Sequence, residues 1–69
     1  MGEDSFSAED IINSVTDGIA AITASDVIAL VTKANDMGKA IEMGDFLTQK
    51  RPDLEDDIED AVGDALARF

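Results

Sequence analysis

The run DLEDDIEDAVGD, residues 53–64, is where the chain concentrates groups able to do chemistry. Asp53, Glu55, Asp56, Asp57, Glu59, Asp60 and Asp64 are all carboxylates. Carboxylates gathered in this way bind cations, and the cation can be a metal ion or the basic side chains of another protein. A calcium loop of the EF-hand type needs glycine at its sixth position to turn the chain around the ion. Here that position is Ile58, and the apolar period runs straight through the segment. Carboxylates on a helix point outward and do not wrap a cation, so no dedicated metal site and no cofactor are expected.

The rest of the composition removes most catalytic constellations. There is no histidine and no cysteine, so imidazole bases, thiolate nucleophiles and the usual zinc ligand sets are missing. No tyrosine supplies a phenolic acid, and the glycines form neither dinucleotide-binding nor P-loop spacing. A chain of this size also has little room for a substrate pocket. The expectation is a protein that is not an enzyme.

Charge narrows the choice of partner. Sixteen acidic residues against five basic ones give a formal net charge of −11. Such a surface repels nucleic acid and anionic lipid and attracts basic protein faces. A high-salt habitat produces a similar bias. The hydrophobic fraction of 45% and its periodic spacing point to a folded chain rather than a disordered one. No window approaches the length of apolar sequence a membrane span needs. The acidic start MGEDSF is unlike the first region of a cleaved signal peptide. The expected location is the cytoplasm, or outside the cell by a route without a cleaved signal.

The elements that must position the acids are helical. Ser7 and Asp10 have the spacing of a capping box, with Phe6 and Ile11 spaced as a hydrophobic staple around it. Ile11, Ile12, Val15, Ile19 and Ile22 follow as one stripe, which predicts a first helix over residues 8–22. Thr23 or Ser25 can cap a second helix over residues 25–48. Its principal face joins Val27, Leu30, Val31, Ala34, Met37, Gly38 and Ile41 at about 100° per residue. Gly38 and Gly44 are each a possible end, so the helix stops near residue 36, near residue 43, or near residue 48. Pro52 opens the third helix, residues 53–69, with an apolar stripe of Leu54, Ile58, Val62, Leu66 and Phe69 widened by Ala61 and Ala65. The fold class is all-α, a small antiparallel bundle of three amphipathic helices forming one domain, with residues 1–6 a loose lead.

Three surface features carry the functional expectations. Asp53, Asp56, Asp57, Asp60 and Asp64 share the polar side of the last helix. Among them only Asp64 has a cation four residues on, Arg68. That face is either a solvated surface or a docking site for a basic partner. Ile28, Met43, Phe46, Leu47 and Phe69 fall off the main apolar stripes or at the chain end. They are either core positions of a sandwiched middle segment or an exposed interface. The small residues Gly18, Ala20, Ala21, Ala24, Ala34, Gly38, Ala40 and Gly44 permit close helix approach, within one chain or between chains.

The leading expectation is therefore a non-enzymatic acidic interaction protein that self-associates or serves as an assembly subunit through apolar helix faces. A chain of this length buries only about 60% of its unfolded surface and gains stability by association. The alternatives are an acidic decoy for the basic surface of a nucleic-acid-binding protein, and a passive small domain with a solvated face.

Overall fold

The computed structural model describes residues 7–68 and is all-α. Among these residues there are four α-helices: α1 (Ala8–Val15), α2 (Ala24–Asn35), α3 (Ala40–Lys50) and α4 (Glu55–Ala67). Single 3-10 turns at Ile19–Ala21 and Pro52–Leu54 lead into α2 and α4. Phe6 of the expected staple, the N-terminal lead and Phe69 lie outside the described residues.

The start of α1 follows its sequence. Ser7 caps it, its hydroxyl accepting from the Asp10 amide at 3.3 Å. The expected run to residue 22 does not occur, because the chain folds back on Thr16. Its hydroxyl accepts from the Gly18 amide at 2.9 Å and donates to the Gly18 carbonyl at 2.8 Å. Gly18 sits at φ 133°, outside helical space. Ile22 is still buried and Ile19 half-buried, so the stripe reaches the core through a 3-10 turn instead of a helix.

Thr23 starts α2 with a full capping box. The Asp26 amide donates to its hydroxyl at 3.3 Å, and the Thr23 amide donates to the Asp26 carboxylate at 3.1 Å. Val27, Leu30, Val31 and Ala34 then face fully inward. The second expected helix is two helices, and the break is at Gly38. The Lys39 amide returns to the Ala34 carbonyl and the Gly38 amide to the Asn35 carbonyl, both at 2.9 Å. This is a Schellman closure, with Gly38 at φ 74° in the left-handed region that glycine alone enters cheaply.

The break resets the helical phase. Ala40, Met43, Gly44 and Leu47 become the buried face of α3, at the i, i+3, i+4, i+7 spacing of an amphipathic helix. Met37 and Ile41, expected on the continuous stripe, are exposed instead. Helix α4 packs most extensively on α2 and next on α3, while α1 lies against α2. It buries Ile58, Ala61 and Ala65 and half-buries Val62, with Leu54 of the preceding turn half-buried beside it. Leu66 is rotated to the edge, 44% exposed, because the small alanines occupy the face turned to the core.

The smallest extent of the molecule is 18 Å, about two helix diameters. Each helix thus has one face on the core and one face in water. No helix among the described residues is long and apolar enough to cross a membrane.

Candidate functional site

The five residues grouped as an apolar interface separate in the fold. Met43 and Leu47 have no exposed surface and stand at the centre of the core. They cannot form an interaction patch, and the phase reset at Gly38 is the reason. Phe46 is half-buried at the core margin, with the Lys50 ammonium 5.7 Å from its ring centre. Of the described four, Ile28 is the exposed one, at 58% on α2. Phe69 is not among the described residues.

Close approach at Gly44 is intramolecular. A Cβ added there would lie 2.7 Å from Val62 Cγ2 and 3.6 Å from Ile58 Cγ2, so glycine is what lets α3 seat on α4. The small-residue pattern in α3 is thereby absorbed by the fold itself. Ala20, Ala21 and Ala24, by contrast, are exposed.

The five acids also divide. Asp53 lies on the 3-10 turn before α4 and is held by Arg51, whose Nε donates to Oδ1 at 3.0 Å and Nη2 to Oδ2 at 2.9 Å. These bonds hold the Asp53 carboxyl below the usual carboxylate range and raise the Arg51 guanidinium further above its own. Asp64 pairs with Arg68 at 3.2 Å, the one relief the i, i+4 spacing foresaw. Among the described residues no lysine or arginine pairs with Asp56, Asp57 or Asp60.

What the fold adds is a groove between α2 and α4, of about 680 Å³. Ile28 and Thr32 form one wall. Asp57, Asp60 and Asp64 form the other, at the i, i+3, i+7 spacing that keeps them on one side of α4. Ala61 and Ala65, small and buried, lie between the walls. Asp56 does not line it, and Glu55 faces a second groove shared with α3. Sequence reasoning missed the pairing of Ile28 with this row, because only tertiary packing lays α2 beside α4.

No family model matches the chain, and no curated protein or solved structure matches it either.

The arrangement has simple chemistry. An apolar side chain faces a row of carboxylates across a trough that Arg68 also lines, and two of those carboxylates have no cation of their own among the described residues. Such a trough is complementary in charge and polarity to groups that present positive charge beside an apolar surface. The carboxylates point outward, and among the described residues no three acidic side chains converge on a point where a metal ion would sit.

Proposed function

We propose that this chain is a non-enzymatic interaction protein that docks a basic partner protein on its α2–α4 face. The observation that carries the proposal is Ile28, 58% exposed, standing across the groove from Asp57, Asp60 and Asp64. An acidic helix surface alone is often only solvated. An exposed isoleucine beside unpaired carboxylates costs free energy in the isolated protein and becomes favourable once covered by a complementary surface.

In this reading the partner's lysines or arginines neutralise Asp57 and Asp60, and an apolar side chain seats against Ile28. Asp56 extends the negative field at the crest of the helix. Asp53 and Asp64 contribute less, since Arg51 and Arg68 already neutralise them. The charges set orientation and reject acidic surfaces; the apolar contact supplies residence time. A basic surface of this kind is what nucleic-acid-binding proteins present, so the carboxylate row would compete with phosphates for it.

The test uses the immobilised chain against basic nucleic-acid-binding domains, with duplex DNA as competitor. Binding should weaken steeply with salt, as displacement of a polyanion requires, and DNA should compete. The double variant Asp57→Lys, Asp60→Lys should lose binding while remaining folded. If wild type and variant behave alike, the row is a solvated surface and the proposal fails.

A further inference from the structure

Helix α4 is flanked by two grooves, and the second lies between α3 and α4, about 560 Å³ in volume. Ile41, 57% exposed, stands on its α3 wall, with Asp45 one turn further on. Glu55 and Glu59, also one turn apart, stand on its α4 wall. No lysine or arginine lines this groove, and none among the described residues pairs with Asp45, Glu55 or Glu59. The α2–α4 groove, by contrast, includes Arg68. Three carboxylates without cations around an exposed isoleucine repel anionic surfaces, and they repel a second copy of a chain that carries −11. They match a surface that offers lysine or arginine beside an apolar side chain.

The two grooves meet on α4. Glu59 and Gly63, one turn apart, line both of them. Gly63 is exposed, and with no side chain it makes a low point on the ridge between the grooves. Nothing among the described residues accounts for glycine there. Its φ is not positive, unlike those of Gly18 and Gly38. No atom lies within 4 Å of where its Cβ would be, unlike at Gly44. Glycine inside a helix is disfavoured against alanine. A bare ridge between two acidic grooves lets another backbone cross α4 closely and send side chains down both sides.

We propose that the basic partner straddles α4, crossing it at Gly63 with cationic side chains in both grooves. The contact rests on docking of a basic partner at the α2–α4 groove and extends it to α3. On one side Asp57 and Asp60 meet the cations and Ile28 the apolar side chain. On the other Asp45 and Glu55 meet the cations and Ile41 the apolar side chain. Glu59, at the shared rim, serves both. The partner segment therefore carries two clusters of basic and apolar side chains, separated by about the width of a helix, about 10 Å, with small residues between them. Two grooves engaged by one segment bind more tightly than either alone.

Titration of the isotope-labelled chain with a helical peptide tests the proposal. The peptide carries two lysine–leucine clusters about seven residues apart, about 10 Å of helix rise, with alanine between them. A peptide of the same composition with the clusters adjacent is the control. Backbone amide shifts should move on both sides of α4, at Ile41 and Asp45 as well as at Ile28 and Asp57. The spaced peptide should bind about tenfold tighter than the control, or more. The double variant Asp45→Asn, Glu55→Gln and, separately, Gly63→Gln should each remove that advantage. All three positions are exposed, so the variants should keep the wild-type circular dichroism; if one does not, the other decides. Shifts confined to the α2–α4 side, or equal binding of the two peptides, overturn the straddling contact and leave docking at the α2–α4 groove standing. Binding of neither peptide by wild type overturns both. Shifts at Ile41 and Asp45 on concentrating the chain alone would assign the second groove to another copy and overturn the straddling contact.

Discussion

Arg51 and Asp53 form a two-pronged ion pair, and the same guanidinium also reaches across the fold. Its Nη1 donates to the Ile19 carbonyl at 2.7 Å and to the Ile22 carbonyl at 3.2 Å. One side chain therefore joins the turn before α4 to the turn before α2, with Asp53 fixing the plane of the guanidinium. Lysine cannot reproduce this fork. Arg51→Lys should lower the melting temperature, and its loss should exceed that of Lys33→Ala on the exposed side of α2.

The pair also predicts a pH effect of definite sign. The hydrogen bonds from Arg51 depress the folded-state Asp53 pKa. Stability from a depressed carboxylate is fully present above its unfolded value, about 3.9, and is lost as pH falls through the folded value. Thermal melts of wild type and Asp53→Asn should differ at neutral pH, and the difference should close as pH drops below that range. A gap that stays constant into strong acid would mean the carboxylate charge is not its source.

Gly44 and Gly63 make a matched pair inside helices. Overpacking against Val62 should cost about 1–3 kcal/mol for Gly44→Ala, offset by about 1 kcal/mol of helix propensity. A net loss is expected in denaturant titration, recovered in part when Val62 is also cut to alanine. Gly63 has open space where its Cβ would be, so Gly63→Ala should stabilise α4 by about 0.5–1 kcal/mol.

The turn at Gly38 should resist substitution for a different reason. Nothing crowds the position, but its φ of 74° disfavours any side chain. Gly38→Ala should cost about 1–2 kcal/mol, and asparagine less than alanine. Equal stability of wild type and alanine variant would mean that the α2–α3 turn does not need that conformation.

Met43 and Ile28 share the same apolar character in the sequence and should part company in energy. Met43→Ala should destabilise by about 2–5 kcal/mol, as for any closed core position. Ile28→Ala should stay within about 0.5 kcal/mol, as for an exposed one. Chemical denaturation of the two variants measures both.

Much of this architecture was legible residue by residue. Ser7 and Thr23 cap their helices because a hydroxyl there accepts from an amide that no helix can satisfy itself, and at Thr23 the Asp26 carboxylate completes the box that the spacing also offered at Ser7 and Asp10. Val27, Leu30, Val31 and Ala34 turn inward as their spacing requires. The boundaries were less legible. Gly38 and Gly44 offered equal grounds for a helix end, and local chemistry could not choose between them. Gly38 takes the turn because Gly44 is needed where α3 meets Val62, a contact eighteen residues away. With that choice Met43 and Leu47 went to the core, while Met37 and Ile41 went to the surface.

The sequence by itself determined helical class, the absence of imidazole and thiol chemistry, the strong acidity, and the lodging of most acids on one side of the last helix. These follow from composition and from the short-range periodicity of a single helix. Tertiary structure alone decided which helix faces meet. It set Ile28 across from Asp57 and Asp60, took Asp53 out of the row through Arg51, and brought Ile41 of α3 and Leu66 of α4 to one depression. Each of those relationships joins residues on different elements, and a helix's own period fixes its faces but not which neighbour each face will meet.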